Sequence, residues 1–426
     1  MNGANVTGTV ANTSHRVVIP FYIYAAISFL VATLLLVFST PAFAQHYFHP
    51  HTLAITHIMA LGWGTMIILG ASHQLVPVLI ERKLFSDTLA FLSFLLAAIG
   101  IPLLIYAFYV FDIGWPARWG GILVNAAILL YLVNLAMSMS KAKHENVQSV
   151  FVFTAACWLL VTTVLGLLLV YNFSFLFLPR DSLHYLPLHA HLGIVGWFLL
   201  LIIGVGSRLI PMFMISKYEN TKLLWWIYAC INAGLGGFFV GFIFFRSPVF
   251  LLPVLLVLMG LILFAVYIIR SFQQRIRRKI DKPMKISLLS VLMITLPLIV
   301  LMAILFYSWA WDNNARLILS YGFTIFFGWL TAIILGMTFK TLPFIAWNKV
   351  YLHRSGLGKT PDPKDLFNAK IFAVMAVIYL IGFLLFLGGI LFSNELALKS
   401  AAILLLGAAV LYNFNVCKVV AHKPAS

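Results

Sequence analysis

Two histidines stand at matching places in two apolar runs, and they are the side chains best suited to chemistry in this sequence. His57 and His191 each lie five residues before a Gly-Trp pair, Gly62-Trp63 and Gly196-Trp197. An ionisable side chain inside a membrane-length apolar run is costly and marks a functional site by default. A neutral imidazole is also the commonest protein ligand of haem iron and copper. His189 precedes His191 in Leu188-His189-Ala190-His191. Two helical residues subtend roughly 200°, so these rings are expected to point to different sides. One can then serve a site shared with another helix while the second serves a site behind it. The plainer alternative is a buried imidazole hydrogen-bonded to a neighbouring helix, with no metal.

Other histidines and cations carry weaker signals. His73 follows His57 by 16 residues. That is roughly 24 Å along a helix, too far to share one metal. His73, Arg208 and Lys340 fall near one end of their runs and read as interfacial or snorkelling groups. His46, His49 and His51, in Gln45-His46-Tyr47-Phe48-His49-Pro50-His51, form a histidine-rich loop able to capture copper, although exposed loop histidines are usually unliganded. Arg180 and His184 precede the sixth run, where they could meet haem propionates; Arg180 could equally pair with Asp181. Cys157, Cys230 and Cys417 sit singly, with no C-x-x-C or C-x-x-C-H, which excludes disulfide scaffolds, zinc ribbons and covalently attached c-type haem.

The elements that must position these groups are membrane helices. Of 426 residues 63% are apolar and only 9% charged, and the mean hydropathy is +1.03. Ordinary globular chains carry about 25% charged residues. Apolar runs near 18–40, 52–79, 86–110, 117–140, 148–171, 187–214, 222–245, 248–270, 285–308, 315–345, 367–393 and 398–418 predict twelve spans. Each reaches the roughly 20 residues that a spanning helix needs. Thr40-Pro41-Ala42-Phe43-Ala44 faintly resembles a signal-peptidase site, but the apolar stretch before it is of full membrane length, so the first span is expected to be retained. The net charge of +17 is read as topology rather than as nucleic-acid binding. All basic residues except Arg118, Arg180, Arg246, Arg316 and Lys399 fall in the terminal segments, in the loops after even-numbered spans or in the parts of spans next to them, including the run from Arg270 to Lys279. By the positive-inside rule both termini are cytoplasmic, in a bacterial-type inner (plasma) membrane.

An internal repeat organises the spans. Spans 2, 6 and 10 read Gly62-Trp63…Gly70…Pro77, Gly196-Trp197…Gly204…Pro211 and Gly328-Trp329…Gly336…Pro343, with identical offsets. The copies stand 134 and 132 residues apart. This period predicts one all-α integral membrane domain over 1–426, built as three pseudo-symmetric four-helix repeats at about 17–140, 148–270 and 284–418. The glycines permit close helix approach in lipid. The prolines are expected to end or kink each helix. Trp63 and Trp197 offer flat surfaces, either for helix packing or for a planar cofactor. The third copy carries Phe323 where the first two carry His57 and His191.

These strings resemble the haem–copper oxidase superfamily. The run His189-Ala190-His191-Leu192-Gly193-Ile194-Val195-Gly196-Trp197 looks like the H-x-H helix of subunit I, closest to the C-type (cbb-type) branch. Span 2, from Thr56-His57 to Leu75-Val76-Pro77, is similar to the helix that supplies a low-spin haem ligand in that family. The resemblance implies a subunit I-like fold and a b-type haem. His57 and His191 would be its axial candidates, leaving His189 for a second haem or a copper. His49 and His51 are weaker copper candidates, and a cytochrome or other respiratory-chain subunits would be partners. The sequence also departs from the family. The family places its H-x-H on the tenth span, where this chain has Tyr321, Gly322 and Phe323. The family's copper draws a histidine pair from span 7, which here has none. No Asp or Glu lies deep in a span, Asp112 and Asp312 being at span ends. The expected activity is therefore electron transfer or nitric oxide and oxygen handling rather than proton pumping, a degenerate pattern similar to the NnrS-type haem- and copper-containing membrane proteins. A copper transport or assembly factor and a cofactor-free structural partner of a respiratory complex are the competing readings.

Overall fold

The computed structural model describes residues 13–142, 146–245, 251–310, 314–352 and 360–423. Arg246 and Asp312, used above for loop charge and span ends, lie outside the described residues. Among those described, twelve helices are long and apolar enough to cross a membrane: α1 His15–Phe38, α2 Pro50–Ile80, α3 Asp87–Val110, α4 Trp115–Met139, α5 Val147–Ser174, α6 Leu183–Met214, α7 Thr221–Phe244, α8 Leu251–Gln273, α9 Lys282–Tyr307, α10 Ala315–Tyr351, α11 Ala369–Phe392 and α12 Glu395–Val420. They are the helices of a multi-pass membrane protein. In lipid every backbone N–H and C=O must find its partner within the segment, and a helix achieves this. No strand occurs among the described residues; Ser216 and Arg275 form an isolated bridge.

Short polar residues set where the helices begin. The side chains of Asn146, Asn220, Asn314, Asn368 and Asn394 accept backbone N–H groups at the starts of α5, α7, α10, α11 and α12. Asp281 caps α9 in the same way. Each cap satisfies a donor that the helix itself leaves orphaned. Glu81, Phe111, Ile215 and Ser393 follow the ends of α2, α3, α6 and α11 with φ of 51–57°. The repeat prolines lie within their helices. Pro77 and Pro211 lie inside α2 and α6, and Pro343 lies well inside α10, which runs on to Tyr351 rather than stopping near 345.

The chain forms two compact units. One holds Ser72–Gly100 and Ile113–Ile280, with the residues before His15; the other holds His15–Ala71, Ile101–Asp112 and Asp281–Ser426. In the first unit α4 packs on α5, α5 on α6, and α7 on α8. In the second, α11 packs on α12, α12 on α1, α1 on α2, and α9 on α10.

The three Gly-Trp helices share two local features. In each, the backbone widens into a π-helix: Ile58–Thr65 in α2, Leu192–Leu199 in α6 and Thr324–Leu330 in α10. The widened turns begin at the residue following His57, His191 and Phe323 respectively. Such turns are rare and concentrate at functional sites. Each helix also presses its second motif glycine against the preceding helix. A Cβ at Gly70 would lie 2.7 Å from Phe21 Cβ of α1. One at Gly204 would meet Phe151 of α5, and one at Gly336 would meet Ser287 of α9.

Candidate functional site

His57 closes the first turns of α2, and its Nδ1 lies 2.8 Å from the Leu53 carbonyl oxygen, one helical turn back. A carbonyl oxygen only accepts, so Nδ1 carries the proton. In the neutral ring the lone pair then resides on Nε2. The ring is half-buried, 4.6 Å from that of Phe108 on α3.

His191 repeats this arrangement in α6. Its Nδ1 is 2.7 Å from the Pro187 carbonyl oxygen, again four residues back. The ring, also half-buried, faces Phe238 of α7 at 5.4 Å. His189 faces α5 instead: its Nδ1 is 3.1 Å from the Thr162 carbonyl oxygen. Its ring rests on Gly166, where an added Cβ would lie 2.8 Å from His189 Cε1. The H-x-H rings thus diverge to two different helices, as their helical spacing requires. His57, His189 and His191 each have Nδ1 directed at a carbonyl, the arrangement that fixes tautomer and ring orientation in ligating histidines.

The loop histidines have the opposite polarity. His46 Nδ1 accepts the Phe48 N–H at 3.2 Å, and His49 Nδ1 accepts the His51 N–H at 3.2 Å. His49 is thereby the N-cap of α2, with Pro50 in the first turn. In neutral rings this places the proton on Nε2, the nitrogen a metal would otherwise take. His51 is stacked on Tyr109 at 4.1 Å with the planes 3° apart. Its ring stands 5.0 Å from that of His49, edge to face. Burial, and secondarily the neighbouring His51, holds the His49 imidazole below its ordinary titration range.

The remaining candidates separate by environment. Trp63 is completely buried. It stacks on Phe29 at 4.6 Å, meets Tyr412 edge-on at 5.1 Å and donates Nε1–H to Thr331 Oγ1 at 3.1 Å. Trp197 is likewise buried. The Trp63 contacts are those of a helix-packing residue. Arg180 is exposed in the loop before α6, and its carbonyl accepts from Asn172 Nδ2 at 3.1 Å. The neighbouring Asp181 spends Oδ1 on the His184 N–H at 2.8 Å. Arg208 is exposed, in keeping with an interfacial position. His73 is buried within the protein, 2% exposed, with its ring edge-on to Tyr131 at 5.4 Å. Lys340 is paired with the α9 cap Asp281 at 2.6 Å rather than snorkelling alone.

The third equivalent position is filled by carbon. Phe323 is 3% exposed and stacks with Phe327, Phe383 and Phe386 at 5.0, 5.6 and 4.6 Å. Among the described residues, no three His, Cys, Asp or Glu side chains gather into a metal cage. A protein-only copper site needs several such ligands. Haem brings four nitrogens of its own and asks the protein for one or two axial groups. The π-helices, the Nδ1–carbonyl bonds and the Gly166 cradle were not legible as motifs. The only hint in the sequence was a histidine at a fixed offset before Gly-Trp. No known protein-family model matches this chain, and no curated protein matches it.

Proposed function

We propose that the protein is a haem-binding membrane protein of the haem–copper oxidase subunit I type, acting in respiratory electron transfer or in nitric oxide or oxygen handling. The observation that carries this reading is the shared state of His57 and His191. In each, Nδ1 is held by the carbonyl four residues back, at 2.8 and 2.7 Å, and Nε2 bears the lone pair at the start of a π-helix. Each histidine is an axial candidate within its own unit. His189, turned toward α5 by Thr162 and Gly166, is a ligand for a second haem or a copper. Arg180 is a candidate for a propionate. A bound haem would supply one-electron chemistry or an iron able to take a diatomic gas. The residues named here would fix its orientation and exclude competing tautomers.

The proposed frame is three four-helix repeats. It is supported by the three π-helices at one motif position and by the three motif glycines that each press on the preceding helix. A proton-pumping role has no support, because the chain carries no deep carboxylate in a span.

One spectrum decides the matter. Protein purified from cells supplied with haem precursors is expected to show a Soret band that shifts on reduction, and the band should collapse in His57→Ala or His191→Ala. Carbon monoxide addition then distinguishes a six-coordinate electron carrier from an open gas-binding iron. A wild-type preparation with no Soret band, or a band indifferent to both substitutions, refutes the proposal.

A further inference from the structure

Helices α1 and α12 are joined by Asn413, whose Nδ2 donates to the Ala26 carbonyl at 2.9 Å and to the Ala409 carbonyl at 2.9 Å. Beside this joint lies a cavity of about 250 Å³, lined by Ile23 and Ile27 from α1 and by Val416, Cys417 and Val420 from α12. The amide is consumed by the helix backbones, so the wall presented to a ligand is apolar. Ile23 and Ile27 are 37% and 52% exposed, so the cavity opens on the outer, lipid-facing side of the helix pair.

One end of this groove is basic. Arg16 precedes Ile23 by seven residues, two helical turns along the same face and roughly 10 Å beyond the apolar wall. It is exposed. His15 lies within electrostatic reach of Arg16 and of Lys349 at the end of α10. His422, just past α12, bonds the Tyr351 hydroxyl at the same end of α10 at 2.9 Å. The start of α1 and the ends of α10 and α12 therefore meet there, bringing Lys418 and Lys423 to the same end. Helix α1 holds no acid, and the one acid of α12, Glu395, is at its opposite end. Asp362, on the loop after α10, is taken by Lys364 at 2.7 Å.

An apolar slot open to lipid, continued by an arginine on the same face, has the chemistry of a phospholipid site. We propose that the α1–α12 groove holds an acyl chain of an anionic phospholipid whose phosphate meets Arg16. Charge complementarity selects this occupant: an anionic headgroup matches the excess of cations that Arg16, Lys349, Lys418 and Lys423 bring to this end, and a second copy of this chain would bring its own positive charge against it.

Native mass spectrometry of the detergent-purified full chain, equilibrated with mixed phosphatidylglycerol and phosphatidylcholine micelles, tests the site. Wild type is expected to retain phosphatidylglycerol about fivefold over phosphatidylcholine, the preference one interfacial cation confers. Arg16→Gln should bring the two lipids to parity while leaving total retention intact. Ile27→Trp, filling the slot from a lipid-facing position, should lower retention of both. Equal retention by wild type, or an Arg16→Gln variant with unchanged preference, overturns the proposal. So does competition by glycerol phosphate, which would mean that phosphate alone is read. Disulfide-linked dimers forming through Cys417 in the lipid-free protein, with no lipid retained, would assign the groove to a second copy instead.

Discussion

The intramembrane and loop histidines of this chain are the same side chain used with opposite polarity. His57, His189 and His191 direct Nδ1 at carbonyl oxygens, whereas His46 and His49 direct Nδ1 at backbone N–H groups. The first arrangement leaves Nε2 as a base in an apolar setting; the second ties the ring to the loop backbone, as a helix cap at His49, and protonates Nε2. Counting histidines would rank the loop, with three in six residues, as the better metal site. The hydrogen bonds rank it last. For an imidazole the partner of one nitrogen decides the chemistry of the other, and that partner is a backbone atom set by secondary structure.

The sharpest way to break the comparison is to remove a ring from each region. His57→Ala or His191→Ala is expected to remove the haem signal that depends on that histidine, while His49→Ala and His51→Ala leave the spectrum unchanged. Loss of haem from the loop variants and retention in the intramembrane ones would reverse the assignment. Metal analysis alongside the absorption spectrum checks copper in the same samples.

A second test concerns the position where the third Gly-Trp helix carries phenylalanine. Phe323→His would restore the missing imidazole in sequence. The structure surrounds that position with the faces of Phe327, Phe383 and Phe386. Burying a polar ring among phenylalanines and breaking the stack should cost about 2–4 kcal/mol, read as a lower melting temperature, with no gain in haem content. A variant that melts like wild type and binds additional haem would show that the offset before Gly-Trp alone makes a ligand.

The His189 cradle gives a smaller and more local effect. Gly166→Ala would place a methyl group 2.8 Å from His189 Cε1. Relieving that overlap should cost about 1–3 kcal/mol and should swing the ring off the Thr162 carbonyl. Losing such an outer-shell bond typically weakens a metal about 10–100-fold. The absorption or paramagnetic signal that His189→Ala removes should therefore weaken in Gly166→Ala, with signals dependent on His57 unaltered. Equal spectra for wild type and Gly166→Ala would show that the cradle does not position a ligand.

Much of the architecture was legible because membrane helices announce themselves. Twelve apolar runs lie where twelve helices lie, since lipid leaves the backbone few other choices. The divergence of His189 and His191 followed from helical geometry alone. What could not be read depended on contacts between segments remote in sequence. Nothing in the string tells that Trp63 would be enclosed by Phe29, Tyr412 and Thr331, or that His73 would be buried beside Tyr131. The π-helices were equally hidden, because a single widened turn has no compositional signature. The continuation of α10 past Pro343 to Tyr351 was hidden for a related reason: neighbouring helices can re-satisfy the backbone groups that proline frees.

The smallest effect expected is a pH dependence confined to the loop. His49 titrates below its ordinary value of about 6.5, because burial and the adjacent His51 disfavour its charged form. Protonating Nδ1 would also destroy the acceptor that caps α2. A group whose folded-state value is depressed contributes stability that is full above the unfolded value and lost as pH falls through the folded one. Thermal melts should therefore be level from pH 8 to about pH 7 and decline below about 6.5. The part owed to this cap should not exceed about 1 kcal/mol, the ordinary worth of an N-cap. His49→Asn keeps a capping acceptor that does not titrate, so it should flatten that part of the decline while leaving the neutral-pH melt in place. If His49→Asn melts with the same acid dependence as wild type, the capping role assigned to the loop histidine is wrong and its contrast with His57 loses its basis.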